Sequence, residues 1–160
     1  MMLQLLGEYD CKLDGKGRMR LPAGLLEQLQ QWGAEEFVIN RGFEKCLTIY
    51  PKIVWDGITK EINRLNVYDK KDREFLRYFF RGAQPVRLDS AGRILLSKRL
   101  LDYAGITKDV ILSAVNDRIE MWDKEEYERQ LEQEPDNFSD IAQAVMGNRP
   151  LGHITDESAS

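Results

Sequence analysis

The sequence predicts an α+β fold in which two copies of one unit form a pseudo-dimer within the chain. Residues 7–22 and 82–97 repeat the same pattern at a constant offset of 75 positions, and such self-similarity indicates a duplicated unit. In each copy, short apolar strand patterns alternate with helical ones. A unit of roughly fifty residues buries little apolar surface alone. We therefore expect the copies to pack together about a pseudo-twofold axis.

The repeat is carried by the segments GEYDCKLDGKGRMRLP and GAQPVRLDSAGRILLS. The identical pairs are Gly7/Gly82, Leu13/Leu88, Asp14/Asp89, Gly17/Gly92, Arg18/Arg93 and Leu21/Leu96. A weaker similarity continues between residues 37–39 and 110–112, and between residues 47–50 and 119–122. Chance is a poor account of matches in identity, apolar position and element order together.

Each copy begins with a strand that ends at Leu13 or Leu88. An Asp-x-x-Gly tight turn follows, in which the aspartate bonds nearby backbone donors and the glycine supplies a positive φ. A second short strand is predicted at residues 18–21 and 93–96. Because the turn joins two strands, we expect a hairpin whose tip lies near Arg18 or Arg93.

A helix follows in each copy. Pro22 suits the first helical position, Ser97 suits an N-cap, and Gly33 and Gly105 stand where these helices would stop. Two further strands are predicted in each copy, at residues 37–40 and 46–50 and at residues 110–114 and 118–122. Terminal helices are predicted to begin near Pro51 and Asp123.

These patterns divide the chain into four parts. Residues 7–53 form the first unit, residues 54–81 a helical connector, residues 82–125 the second unit, and residues 126–160 an acidic helical extension and tail. Helical spacing in the connector breaks near residues 66–69. In the extension, Pro135 is expected to interrupt a helix, residues 137–146 to form a short one, and residues 148–160 to fray.

Composition excludes several function classes. The 160 residues include one histidine, His153, and two cysteines, Cys11 and Cys46, so a histidine triad or a metal site is not expected. The cysteines are predicted to be small buried hydrophobes. No phosphate-binding glycine motif occurs, and no apolar run approaches the ~18 residues of a membrane span. We expect no enzyme, no cofactor, no membrane partner and no small-molecule substrate, in a reducing compartment.

Charge is distributed unevenly along the chain. The net charge is −4, whereas a simple DNA-coating domain usually has a pI above ~9. Residues 1–122 carry twenty bases and seventeen acids, and residues 123–160 carry three bases and ten acids. The repeats are therefore mildly basic, and the acidity is concentrated in the C-terminal region.

The segments DGKGRMRLP and DSAGRILLS resemble the Asp-x-x-x-Arg signature of the SpoVT-AbrB domain. Two such domains joined by a helical connector resemble the MraZ family. The resemblance implies swapped-hairpin β units forming an intrachain pseudo-dimer. It also implies a ring-like homo-oligomer that binds promoter repeats in double-stranded DNA, in the cytoplasm at the nucleoid. Such a regulator would control the division and cell-wall gene cluster that includes its own gene.

Carried over residue by residue, the DNA-contacting arginines fall on Arg18 and Arg93, and the signature aspartates on Asp14 and Asp89. Two interpretations of each Asp–Arg pair stay open. The pair is either a surface ion pair of about 0–1 kcal/mol, or a device that orients the guanidinium toward a phosphate or a base edge. Catalytic use of the aspartates is disfavoured, because an acid and a base need different environments.

Basic residues surround both turns and are candidates for phosphate contacts that set the register on DNA. They are Lys12, Lys16, Arg20, Arg87 and Lys98. The turn glycines Gly17 and Gly92 are assigned to turn geometry. A solvated strand face is the alternative for the basic residues.

Two other functions compete with the regulator. One is an AbrB-like antitoxin whose main partner is a toxin protein, although antitoxins usually carry a single such domain and a disordered tail. The other is a structural assembly protein whose arginines join subunits and which has no promoter specificity.

Overall fold

The computed structural model describes residues 4–132 and 137–147. Over these residues the fold is mixed α+β, with six α-helices and an antiparallel sheet. The first part of the chain forms β1 (Leu5–Lys12), β2 (Arg18–Arg20), α1 (Ala23–Gln31), β3 (Glu36–Arg41), β4 (Leu47–Pro51), α2 (Lys52–Ile62) and α3 (Lys70–Phe79). The second part forms β5 (Gln84–Arg87), β6 (Arg93–Leu95), α4 (Lys98–Ala104), β7 (Asp109–Asn116), β8 (Arg118–Asp123), α5 (Lys124–Glu132), α6 (Phe138–Ala142) and a π-helical turn (Gln143–Gly147).

The chain divides into two compact units, Met1–Tyr127 and Glu128–Ser160. Where it is described, the second unit consists of the end of α5, then α6 and the π-helical turn. Its large apolar side chains are exposed: Leu131, Phe138, Ile141, Val145 and Met146. No described helix has both the length and the apolar character that a membrane span requires.

Strands of the two repeats are interleaved in the main sheet of the first unit. Its order is β1-β7-β8-β4-β3-β5, and every neighbouring pair is antiparallel. The first strand of each repeat thus pairs with the third strand of the other, β1 with β7 and β5 with β3. At the centre, β4 meets β8 with Thr48 opposite Glu120. Long-range pairing between repeats therefore joins them into one sheet.

The second strands of the repeats form a separate two-stranded sheet, which we call the ribbon (β2 and β6). Met19 lies opposite Ile94 at its centre. β2 pairs with β6 rather than with β1, and its isolated bridge between Met19 and Leu13 lies one residue beyond the end of β1. The hairpin expected from sequence is thus replaced by a ribbon between repeats.

Equivalent residues of the two repeats meet in one core. In four pairs at an offset of 75 both members are buried: Met19/Ile94, Leu21/Leu96, Leu25/Leu100 and Leu29/Ala104. They place the inner face of the ribbon and the apolar stripes of α1 and α4 against the sheet. Burying one such large side chain contributes about 1.5–3 kcal/mol, so the core fixes the ribbon firmly.

Most predicted element boundaries agree with the structure. Ser97 caps α4 by accepting from the Leu100 N–H at 3.4 Å, and Gly33 and Gly105 follow their helices with positive φ. Pro22 is the exception, because it is the N-cap and not the first helical residue. Its ψ of 144° is extended, so α1 begins one residue later, at Ala23.

The remaining predictions concern the connector, the cysteines and the tail. The connector does contain two helices, α2 and α3, with turns between them. Cys46 is buried as predicted, whereas Cys11 is only half-buried. The short C-terminal helix is present as α6 and the π-helical turn. Pro135, His153 and residues 148–160 lie outside the described residues.

Candidate nucleic-acid interface

The first turn, residues 14–18, is closed by the carboxylate of Asp14. Its Oδ1 accepts from the backbone N–H groups of Lys16 and Arg18, both at 2.9 Å. Its Oδ2 accepts from Arg18 Nε at 2.9 Å. Gly17 has a φ of +79°, which only glycine adopts without strain. One side chain thus shapes the backbone and holds the guanidinium.

The second turn, residues 89–93, has the same geometry. Asp89 Oδ1 accepts from the N–H groups of Ala91 at 2.8 Å and Arg93 at 2.9 Å. Asp89 Oδ2 accepts from Arg93 Nε at 2.9 Å. The two arginines are alike in exposure as well, with 33% and 34% of the side-chain surface accessible.

Backbone bonds tie each turn to the other repeat. The Leu21 N–H donates to the Gly92 carbonyl at 3.0 Å, and the Leu96 N–H donates to the Gly17 carbonyl at 2.9 Å. These reciprocal bonds extend the ribbon into both turns. The two Asp–Arg pairs are therefore held at fixed positions on one rigid element.

Both carboxylates are stabilised in their ionised form. The backbone N–H of Arg18 is the main cause that holds the pKa of Asp14 below its ordinary value, and the Lys16 N–H and the Arg18 side chain act in the same direction. The backbone N–H of Arg93 likewise lowers the pKa of Asp89. At neutral pH each carboxylate is charged and can keep its arginine oriented.

The orientation leaves the outer end of each guanidinium available. Only Nε of Arg18 and of Arg93 is bonded to a carboxylate. Within residues 4–132 and 137–147, neither arginine donates from Nη1 or Nη2 to another protein group. A planar pair of N–H donors matches the O6 and N7 acceptors of guanine, or two phosphate oxygens.

The outward side of the ribbon, which we call the ribbon face, is formed by Arg18, Arg20, Arg93 and Leu95. Met19 and Ile94 are buried and therefore form the inward side of the ribbon. Because side chains alternate along a strand, the residues on either side of each point outward. Arg20 lies opposite Arg93, and Arg18 lies opposite Leu95. Like charges directly opposite are destabilising, and the Asp89 carboxylate that binds Arg93 Nε offsets part of the repulsion between Arg20 and Arg93. An anion bound between the two arginines would offset the rest.

The other predicted basic residues surround the ribbon in different ways. Lys16 lies within the first turn and is exposed, and Lys12 is exposed at the end of β1 opposite Asp109. Arg87 ends β5 and forms an ion pair with Glu36 on β3. Lys98 is exposed at the start of α4. The structure brings Arg18, Arg20 and Arg93 together on the ribbon, but Arg87 is engaged elsewhere.

Sequence reasoning missed Leu95 and the leucines behind the turns. Leu26 and Leu101 occupy equivalent positions on α1 and α4, and each lies near the turn glycine of the other repeat. Leu95 is 57% exposed on the ribbon face. Its position was detectable, since the offset of 75 places it at the equivalent of Arg20.

Metal chemistry has no support in the described part of the chain, where His, Cys, Asp and Glu form no group of three able to hold an ion. Burial raises the pKa of the Cys46 thiol to about 12 and that of Cys11 to about 11. Both thiols are therefore protonated at neutral pH and are poor ligands and nucleophiles.

Comparison with known families finds one match that covers both repeats. A family model described as "MraZ protein, putative antitoxin-like" matches residues 4–78 and again residues 79–149. The two matched segments divide the chain at the end of α3. Each contains one Asp–Arg turn.

Three similar proteins bear the description "Transcriptional regulator MraZ". The protein of Christiangramia forsetii is 43% identical over 148 residues, which is 92% of this chain and 96% of that protein. The protein of Flavobacterium psychrophilum is 40% identical over 92% of this chain and 94% of its own length. The protein of Cytophaga hutchinsonii is 38% identical over 88% of this chain and 93% of its own length.

Proposed function

The chain belongs to the MraZ family, a family of transcriptional regulators and not of enzymes, and we propose that it is a sequence-specific DNA-binding regulator that uses its ribbon face. The observation that carries this proposal is the cluster of Arg18, Arg20 and Arg93 on one side of the ribbon. A two-stranded ribbon fits the major groove of B-DNA, where the bidentate contact of arginine with guanine is the commonest specific contact.

The roles on the ribbon face divide between specificity and affinity. Arg18 and Arg93, fixed by Asp14 and Asp89, bond base edges. Because the charge of each of these arginines is already neutralised by its carboxylate, the arginine contributes oriented N–H donors for hydrogen bonds more than net attraction to DNA. Arg20, Lys12, Lys16 and Lys98 supply the phosphate contacts that fix the register on the duplex. Arg87 contributes to those contacts only by leaving Glu36.

Assembly supplies the rest of the affinity. One acidic chain with two turns binds DNA weakly, whereas a ring-like homo-oligomer presents many turns to tandem promoter repeats and gains effective concentration. Head-to-tail contacts close such a ring. Exposed apolar side chains on the connector and in the second unit are candidates for these contacts, among them Phe75, Tyr78 and Leu131.

The architecture that goes with this function is a pair of SpoVT-AbrB-like swapped-hairpin units. In this proposal residues 7–53 and 82–125 are the two domains, residues 54–81 connect them, and residues 126–160 are an acidic extension. The exchange of β1 and β5 between the repeats supports the pairing of the two units. The protein acts in the cytoplasm at the nucleoid, on the division and cell-wall gene cluster that includes its own gene.

The test is binding to the DNA upstream of the protein's own gene, measured by fluorescence anisotropy against a scrambled duplex of equal composition. We expect clear preference for the upstream duplex. Log affinity should fall linearly with log salt between about 50 and 200 mM, with a slope of about −0.9 per phosphate neutralised. Light scattering should give a mass several times 18.6 kDa.

A second candidate, an AbrB-like antitoxin, is favoured by the words "antitoxin-like" in the matched family description. The same measurements separate the candidates. Equal affinity for upstream and scrambled DNA would exclude the function as a sequence-specific regulator, and an antitoxin or a structural assembly protein would be the remaining candidates. A monomeric mass at all concentrations would exclude the ring-like homo-oligomer. Preference for the upstream duplex without any added protein partner supports the regulator.

A further inference from the structure

Leu95 is an apolar side chain on the ribbon face, beside the arginines Arg18, Arg20 and Arg93. It is 57% exposed, and it lies directly opposite Arg18 on the ribbon face. The residues on either side of it in the chain, Ile94 and Leu96, are buried. The ribbon is therefore anchored by its inner face, and Leu95 projects away from the core.

The fold itself does not require leucine at this position. The equivalent position in the first repeat is Arg20, which is exposed in the same ribbon and lies opposite Arg93. A charged side chain is thus compatible with the backbone here. An apolar side chain at this place contributes little to the core and offers about three-fifths of its surface to whatever the ribbon face contacts.

We propose that Leu95 is a specificity-determining residue that contacts the 5-methyl group of a thymine in the major groove. The proposal rests on the function proposed above. In the major groove the thymine methyl is the one apolar group among the hydrogen-bonding base edges, and apolar side chains recognise it. Leu95 supplies such a group beside the oriented guanidinium of Arg18.

The spacing of Arg18 and Leu95 places the bases that they contact within one or two base pairs of each other. Side chains directly opposite in an antiparallel pair have Cβ atoms about 4.5–5.5 Å apart, and base pairs are spaced about 3.4 Å along the duplex. A guanine bound by Arg18 and a thymine touched by Leu95 are then one or two base pairs apart. Arg20, at the equivalent position of the other strand, makes a charged contact instead. The two halves of the site are therefore read differently.

The experiment removes the methyl group and nothing else. The protein first selects its preferred duplex from a pool of random DNA, and each thymine of that duplex is then replaced singly by deoxyuridine. We expect a position close to a guanine at which this single replacement lowers the affinity of the unmodified protein about fourfold, the value of one buried methyl group.

Variants assign the contact to Leu95. In Leu95→Ala, binding to the thymine duplex should be weaker, and deoxyuridine at the same position should have no further effect. Leu95→Met keeps an apolar side chain and should keep the sensitivity. Arg20→Ala is the matched control from the equivalent position, and it should weaken binding while leaving the deoxyuridine effect at about fourfold.

The outcomes are distinguishable. If the pool yields no preferred sequence, the regulator itself is wrong and the inference is lost with it. If a sequence is selected but deoxyuridine affects the protein and Leu95→Ala equally, the regulator stands and Leu95 does not read thymine. A change in oligomer mass of Leu95→Ala would assign the side chain to a subunit contact and overturn the inference.

Discussion

The two turns of the ribbon share their internal bonds and differ in their neighbours. Asp14 joins Arg18 and Asp89 joins Arg93 at the same 2.9 Å. Two residues beyond each arginine, however, the first repeat has Arg20 and the second has Leu95. The repeats thus share the aspartate, glycine and arginine that close each turn, and they differ where side chains face outward. This difference separates the residues that form the ribbon from those that we propose contact DNA.

The largest effect should come from the residues that the repeats share. Arg18→Ala and Arg93→Ala should each lower affinity for the preferred duplex by about 5- to 150-fold per engaged subunit, because a bidentate base contact contributes about 1–3 kcal/mol. Fluorescence anisotropy with preferred and scrambled duplexes measures the loss. If the turns are functionally equivalent, the two variants lose equally.

Lysine variants are the control for charge. Arg18→Lys and Arg93→Lys keep the positive charge but lose the planar fork, so they should bind scrambled DNA like the parent and lose preference. Circular dichroism and light scattering establish that fold and assembly are intact. An alanine variant that folds and still discriminates as well as the parent contradicts the assignment of these arginines. If the alanine variant does not fold, the Asp–Arg pair is required for the fold and its role in DNA binding is not supported.

The next effect concerns stability and distinguishes the two turns. Gly17 and Gly92 both have positive φ, so Gly17→Ala and Gly92→Ala should each destabilise by about 1–3 kcal/mol. A Cβ at residue 17 would lie 3.0 Å from the backbone carbonyl oxygen of Leu96, whereas at residue 92 it would lie 3.3 Å from the mobile Cδ1 of Leu26. Gly17→Ala should therefore be the more damaging.

Urea unfolding of both variants measures the difference. Gly15→Ala is the matched control in the same turn, because its Cβ meets no atom within 4 Å. It should change the free energy of unfolding by less than about 0.5 kcal/mol. Equal losses for Gly17→Ala and Gly92→Ala would show that the carbonyl of Leu96 moves as easily as a side chain.

The turns were predictable from sequence because their causes are local. An aspartate that bonds the N–H groups two and four residues later, and a glycine at the position of positive φ, are written within five residues. The Ser97 cap and the helix stops at Gly33 and Gly105 are local in the same way. Such features depend on short-range hydrogen bonds and allowed backbone angles, which the residue types state directly.

The pairing of strands was not predictable from the same patterns. Alternation indicates that β2 is a strand, but it carries no information about a partner 75 residues away, and a local hairpin with β1 was the natural expectation. The ribbon strands have only three residues each, too short for alternation to show which side faces out. Alternation alone therefore does not show that Leu95 faces outward. Its register with Arg18 does, and the sequence signals it only through the offset of 75 from the charged Arg20.

A smaller effect tests the difference at the outward positions. Arg20→Leu removes the like-charge pair with Arg93, whose charge Asp89 already offsets in part, and should raise the free energy of unfolding by at most about 0.2–1 kcal/mol. Leu95→Arg creates the equivalent pair with Arg18 and should lower it by a similar amount. Thermal unfolding at low salt measures both, and raising the salt should shrink both differences. Arg20→Leu should at the same time weaken DNA binding, so a variant that gains stability without losing affinity contradicts the role of Arg20.

The smallest effect is on the titration of the two aspartates. Carboxyl NMR should give pKa values for Asp14 and Asp89 that are both below the ordinary value of about 3.9. Arg18→Ala should raise the pKa of Asp14 only part of the way, because the N–H groups of residues 16 and 18, which include the main cause of the lowering, remain in place. The pKa of Asp89 should not change, which makes it the internal control.

The lowered pKa of Asp14 also makes stability depend on pH. A carboxyl group whose pKa is lower in the folded than in the unfolded state stabilises the fold at pH values above its unfolded pKa, and that stability is lost as the pH falls through its folded pKa. Asp14→Asn should therefore flatten the decline in stability below about pH 3.9. A full return of Asp14 to its ordinary pKa in Arg18→Ala would show instead that the side chain, and not the backbone of the turn, holds the carboxylate.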